Sequence, residues 1–195
     1  DLGEIGQVQG QKTIAEYLEE LNALTGLASV KEKVNSMVAT AEVNKRLQEM
    51  GLATTDSGTM HMVFKGNAGT GKTTVARIVG GIYRELGVLR SGHLVECDRS
   101  SLVAGYQGQT AMKVKAKVQE ALGGVLFIDE AYALCEDEND SFGKEALNAL
   151  VADIENYRKD LMVIIAGYST DMDRFLAKNQ GLVSRFPNEI LFEDY

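Results

Sequence analysis

A parallel, doubly wound α/β sheet is the fold class this sequence predicts, and three observations predict it. Five short apolar runs, MHMVFK, HLVEC, GVLFID, LMVIIAG and NEILF, alternate with segments of helical spacing. That is the order expected when each strand is followed by a crossover helix. Two stretches within them, VLFI and LMVIIA, are apolar without interruption, as strands covered on both faces must be. The composition, 45% hydrophobic and 25% charged over 195 residues, is that of a globular chain long enough to bury a core.

Taken in order, residues 1–12 are rich in Gly and Gln and have no period, so they are expected to form a flexible arm ahead of one folded unit over residues 13–195. Thr13 and Glu16 have capping-box spacing, and Ile14, Tyr17, Leu18 and Leu21 fall on one helical face. Ser29 with Glu32 makes a second such pair, predicted to open a longer helix whose apolar stripe is Val30, Val34, Met37, Val38 and Ala41 and which ends near Gly51. The polar TTDSGT stretch leads to the first strand. Further helices are predicted after Gly71, around Met112 to Leu122, over FGKEALNALVADIENY and over DMDRFLAKN, and the single proline, Pro187, precedes the last strand.

Composition also narrows the function. No apolar run approaches the ~20 residues of a bilayer-spanning helix. The start, DLGEIGQVQGQK, lacks the basic opening and apolar middle of a signal peptide, so a cytoplasmic setting with no membrane partner is expected. Cys97 and Cys135 stand far apart with no C-x-x-C pair and read as small buried apolar residues. A formal charge of -8 disfavours nucleic acid and anionic membranes as partners. Lys113, Lys115 and Lys117 spread around a predicted helix as a solvated face. His93 and Cys97 are too few for a metal site, and His61 has no partner in sequence.

The chemistry concentrates after the first strand. Gly66 to Thr73 reads GNAGTGKT and fits G-x-x-x-x-G-K-[ST] at every fixed position, with a strand before it and a helix after it. In such a loop the backbone N–H groups of Asn67, Ala68, Gly69, Thr70, Gly71, Lys72, Thr73 and Thr74 can turn toward phosphates while the helix N-terminus adds its positive dipole end. Lys72 supplies a charge near the terminal phosphates, and the Thr73 hydroxyl is placed for Mg²⁺. GVLFIDEA then ends a buried strand with Asp129 followed by Glu130, two carboxylates at the sheet edge where open α/β folds bind ligands. Asp129 suits the Mg²⁺ shell and Glu130 suits activation of an attacking water, which points to ATP hydrolysis rather than transfer to a small molecule.

With these residues in view, the chain resembles the AAA+ ATPases, and within them the clade of red-type Rubisco activase, stage V sporulation protein K and the cytosolic ATPase of type VII secretion. The resemblance rests on LTGLASVKEKV from Leu24, GHLVECDRSSLVAGYQGQTA from Gly92, GGVLFIDEAYAL from Gly123, FGKEALNALVADIENYRKDLMVIIAGY from Phe142 and NQGLVSRFPNEILFEDY at the end. It implies a P-loop NTPase large subdomain with a five-stranded parallel sheet. Gly26 and Leu27 would line the adenine pocket. Tyr106, between Gly105 and Gly108, would be the aromatic of a pore loop that grips a polypeptide, and Glu136, Asp137, Glu138 and Asp140 would fall in a second pore loop. A phosphate sensor is implied near Gly167, Tyr168 and Ser169, without saying which atom senses. Arg185 in LVSRF would be an arginine finger for the neighbouring subunit, although Val183 stands where the family often has another arginine. The sequence stops soon after the last strand, so the helical lid of the family is expected to be largely absent.

The function implied is an ATP- and Mg²⁺-dependent motor that remodels or threads a protein substrate as a ring, a homo-hexamer when the helical lid is present. Two alternatives stand beside it: a nucleotide-gated protein-binding switch without motor activity, and a DNA-linked ATPase, which the net charge disfavours.

Overall fold

The computed structural model describes residues 12–24, 26–52, 60–106, 108–135, 137 and 139–193. Residues 1–11 of the predicted arm and the TTDSGT stretch therefore lie outside the described residues. Two helices come first, α1 (Ile14–Asn22) and α2 (Ala28–Glu49). Strand β1 (Met62–Lys65) leads into α3 (Lys72–Glu85), and β2 (Leu94–Cys97) into the short α4 (Arg99–Leu102) and then α5 (Gln109–Ala121). β3 (Val125–Asp129) is followed by a 3-10 turn (Ala131–Leu134) and α6 (Ser141–Asn156). β4 (Met162–Gly167), α7 (Ser169–Lys178), α8 (Gln180–Arg185) and β5 (Asn188–Leu191) complete the order.

The strands form one parallel sheet in the order β2-β3-β4-β1-β5. Strand residues alternate between two cores because successive side chains point to opposite faces. Val63, Leu126, Ile128, Val163 and Ile165 pack under α4 to α8. Met62, Phe64, Phe127, Ile164 and Ile190 pack under α1 to α3. Both faces are covered, which explains the unbroken apolar runs of β3 and β4. A fully buried side chain such as Phe64 contributes roughly 1.5–3 kcal/mol through removal from water. Among the described residues no helix is long and apolar enough to cross a membrane.

Thr13 caps α1 as expected, its hydroxyl accepting from the Glu16 N–H at 3.2 Å. The second box is a correction. Ser29 lies inside α2, and the residue before the helix is Leu27, in the left-handed region at φ 58 after Gly26 at φ 70. The Ser29 hydroxyl instead donates to the Leu191 carbonyl at 3.2 Å, tying α2 to the end of β5. A tertiary contact has taken the group that local spacing assigned to a cap.

Cys97 is buried and Cys135 half-buried, both with free thiols; burial pushes the Cys97 thiol up to about 12. His93 immediately precedes β2. Its ring nitrogens engage the Ser91 hydroxyl at 2.7 Å and the Glu120 carbonyl at 2.8 Å.

Candidate nucleotide site

Three neighbouring strands end side by side at the C-terminal edge of the sheet: β3, β4 and β1. The segments leaving them line a cleft of about 390 Å³, formed by Ala68, Gly69, Gly71, Lys72, Thr73, Thr74, Phe127, Asp129, Glu130, Gly167 and Tyr168. Residues far apart in sequence, such as Lys72, Asp129 and Tyr168, thus meet at the ends of three adjacent strands.

The loop after β1 owes its shape to glycine. Gly69 at φ 77 and Gly71 at φ 94 occupy the left-handed region that other side chains rarely enter. Gly71 turns directly into α3, whose first turn has no side-chain cap, so its unsatisfied N–H groups face the cleft with the positive end of the helix dipole. Within the loop the buried Thr70 hydroxyl donates to the Asn67 carbonyl at 2.7 Å. Loop and sheet are joined where the Gly66 N–H donates to the Gly167 carbonyl at 3.0 Å.

Lys72 is held over this loop. Its ammonium donates to the Gly66 carbonyl at 2.5 Å and the Asn67 carbonyl at 3.0 Å, and lies 6.0 Å from the centre of the Tyr168 ring. Burial lowers the lysine below its ordinary range, while the charges of Asp129 and Glu130 oppose that shift. A positive group partly stripped of water is poised for an anion.

On the other wall Asp129 ends β3 exposed, its Oδ1 accepting from the Glu130 N–H at 3.0 Å. Glu130 is one of two described non-glycine residues with positive φ, at 52. A backbone strained in this way costs on the order of 1–3 kcal/mol and persists only where surroundings enforce it. The Ala133 N–H, donating to the Glu130 carbonyl at 2.9 Å, begins that enforcement.

The arrangement has the donors that a magnesium nucleotide requires. Backbone N–H groups and Lys72 suit phosphate oxygens, and the Thr73 hydroxyl and Asp129 carboxylate on the same cleft are the hard oxygen ligands that Mg²⁺ takes. Of the predicted contributors, Asn67 and Thr70 belong to the loop without lining the cleft, and Gly26, Leu27 and Arg185 lie away from it. Leu27 is 4% exposed and packed in the core with Val30 and Val34, and Gly26 beside it is exposed. Arg185 lies at the opposite edge of the sheet, just before β5, donating to the Gly181 carbonyl at 2.8 Å and paired with Glu155 at 3.5 Å.

Tyr106 is 73% exposed on the segment between α4 and α5. Gln107 next to it, and Glu136 and Glu138 of the second predicted loop, lie outside the described residues. Asp140 caps α6, accepting from the Gly143 N–H at 2.9 Å. Lys113 donates to the Ser100 and Val103 carbonyls and Lys117 pairs with Glu120, so both amines have partners in the chain. Of the three residues near which the family resemblance implied a phosphate sensor, Gly167 and Tyr168 line the cleft, with the Tyr168 ring beside Lys72.

A parallel sheet of this order with a phosphate loop after β1 and paired carboxylates after β3 defines a P-loop nucleoside-triphosphatase fold. The sequence pattern of the ATPase family associated with various cellular activities (AAA) matches residues 62–194, and the chain belongs to that family. It is 45% identical over 182 residues to stage V sporulation protein K of Bacillus subtilis, which aligns over 93% of this chain and 56% of the relative. It is 44% identical over 187 residues to the chloroplastic ribulose bisphosphate carboxylase/oxygenase activase of Cyanidioschyzon merolae, covering 95% of this chain and 64% of the relative. The ESX-1 secretion system protein EccA1 of Mycobacterium tuberculosis is 45% identical over 188 residues, 95% of this chain and 33% of that protein. The chain thus spans less than two thirds of the length of each of these relatives.

Proposed function

We propose that the protein hydrolyses ATP with Mg²⁺ and uses the cycle to remodel a protein substrate as a ring of identical subunits. The observation that carries the hydrolytic reading is the single cleft lined by Lys72 and Thr73 on one wall and Asp129 and Glu130 on the other. The loop N–H groups and Lys72 bind and orient the phosphates. Thr73 and Asp129 would hold Mg²⁺, which when bound supplies neutralisation of phosphate charge. Glu130 orients an attacking water and takes its proton. Tyr168, beside Lys72, is placed to respond to the terminal phosphate.

Action on a polypeptide is supported by the exposed Tyr106, whose flat amphipathic ring can contact varied side chains. It is supported also by relatives, one of whose names describes an activase of another enzyme and another a secretion-system component. Arg185, away from its own cleft, is available to a neighbouring subunit once it leaves Glu155. Its present pairing within the chain favours a second reading, a nucleotide-gated binding switch without mechanical work.

Glu130→Gln tests the hydrolytic reading. ATP binding should persist while turnover falls by roughly 10²–10⁴-fold, and turnover near that of the unsubstituted protein would reject it. ATP should assemble a lid-containing form of the same variant into hexamers by light scattering; assembly no larger than a dimer would remove the ring. Tyr106→Ala separates motor from switch, since a motor loses substrate remodelling while keeping nucleotide binding, whereas a switch is indifferent.

A further inference from the structure

Beside the nucleotide cleft lies a second cavity of about 370 Å³, lined by Asp98, Arg99, Ser100, Val103, Glu130 and Ala133. Glu130 stands on the wall of both cavities. Its left-handed backbone needs support from outside the strand, and the 3-10 turn that follows it supplies one hydrogen bond, from Ala133 N–H to Glu130 carbonyl. What fixes the turn itself comes from another element. Arg99, the first residue of α4, donates from Nη1 to the Ala133 carbonyl at 2.8 Å.

The same guanidinium nitrogen pairs with Asp140 Oδ2 at 2.5 Å. Asp140 caps α6, and the Arg99 guanidinium, with the Gly143 N–H, holds its carboxyl below the usual carboxylate range. The start of α6 presses on the turn from the other side: a Cβ at Gly143 would collide with the Leu134 carbonyl oxygen, so only glycine fits there. Arg99 thereby locks three elements, α4, the turn after Asp129-Glu130 and the N-terminus of α6. Planar and always charged, an arginine can bind a carbonyl and a carboxylate together in a fixed geometry that lysine reproduces poorly.

Arg99 also starts the segment that carries Tyr106. Asp98 caps α4 by accepting from the Ser101 N–H at 3.1 Å, and Lys113 of α5 binds the Ser100 and Val103 carbonyls at 2.7 and 3.1 Å. The Ala104 N–H donates to the buried Thr110 hydroxyl at 3.1 Å. The segment is thus anchored at both ends, and one end is the residue that grips the Glu130 turn.

We propose that Arg99 is a positioning residue for Glu130, setting the carboxylate through the Ala133 carbonyl and linking it mechanically to the Tyr106 segment. This rests on the reading of Glu130 as the group that activates water. Arg99 does not line the phosphate cleft, so its loss leaves nucleotide affinity unchanged and misplaces the carboxylate. A small misplacement of a catalytic group lowers turnover by roughly 10- to 100-fold.

The test compares Arg99→Gln, Arg99→Lys, Asp140→Asn and Glu130→Gln in the purified protein, measuring ATP turnover and the Kd for a fluorescent ATP analogue. Arg99→Gln is expected to lower kcat by at least about 10-fold with Kd within about twofold, and Arg99→Lys to recover part of the loss. Asp140→Asn keeps a good helix cap and removes only the ion pair. It is expected to lower kcat by roughly threefold at unchanged Kd, and it decides the matter if Arg99→Gln does not fold. A kcat within twofold of the unsubstituted protein, or a Kd that rises in step with the fall in kcat, overturns the proposal. If Glu130→Gln itself turns over normally, the hydrolytic reading fails instead, whatever Arg99 does.

Discussion

The two ends of the same five strands are built to opposite rules. At the C-terminal edge the backbone is strained at Glu130, Asp129 and Glu130 stand exposed, and α3 begins without a side-chain cap. At the N-terminal edge, polar groups are used to close the sheet. The His61 ring, 1% exposed, accepts the Val163 N–H at 2.9 Å. Ser91 and Gly92 N–H groups both donate to the Gly123 carbonyl, and Gly123 N–H donates to the Asp160 carbonyl at 2.6 Å. Arg90 binds Asp160 through two nitrogens at 2.8 and 2.6 Å. Strain and unneutralised charge are concentrated where a charged ligand can offset them, while the far edge supplies the rigidity that holds the strand ends in register. Substitutions at the upper edge should therefore change binding and turnover, and those at the lower edge should change stability.

The largest effect expected from this contrast is at Lys72. Lys72→Ala removes a charge-assisted donor from the phosphate loop, a loss of about 3 kcal/mol in ATP binding, or roughly 100-fold in Kd. The melting temperature of the nucleotide-free protein should change little, because the ammonium bonds only loop carbonyls. Titration calorimetry and a thermal scan check the two halves. A melting temperature that falls as steeply as the affinity would show that the upper edge is as structural as the lower.

Gly124→Ala probes the lower edge. A Cβ there would stand 2.3 Å from the His93 carbonyl oxygen and 2.6 Å from its Nδ1, and that same carbonyl accepts the Val125 N–H at 2.7 Å. Backbone must move to admit the methyl group, a cost of about 2–3 kcal/mol in stability. Denaturant unfolding should show this as a lower midpoint, with nucleotide Kd in the folded fraction unchanged. A tenfold change in Kd would mean that the edges are not independent.

How much of this was legible in the sequence follows the range of the interactions. The strands were, because burial on both faces writes itself into consecutive apolar residues such as VLFI. Lys72, Asp129 and Glu130 were, because loop and strand-end motifs carry their chemistry in fixed local spacing. Ser29 was misread because the bond that claims its hydroxyl comes from Leu191, 162 positions away. α4 and α8, of 4 and 6 residues, are too short to show a helical period. Tyr168 was reached only through the family resemblance, because its place beside Lys72 depends on β4 lying between β1 and β3. Arg99 acquires its place only when α4 folds onto the turn after β3, and no local pattern encodes that event.

The smallest effect expected is the pH response of His61, and its sign separates the two edges once more. Burial lowers the ring from 6.5 to about 4, opposed only by the charge of Glu155. The unfolded chain binds a proton near pH 6.5 while the folded chain stays neutral until about pH 4, so stability is full above the upper value and is lost as pH falls through this window. At pH 5 the loss is about 2 kcal/mol by linkage. His61→Gln keeps an acceptor for the Val163 N–H and removes the titration. Its unfolding free energy should be flatter than that of the unsubstituted protein between pH 7 and 5 by roughly that amount. Equal slopes in the two proteins would mean that the histidine ring gains its proton without opening the lower edge, and that this edge is less tightly closed than its hydrogen bonds imply.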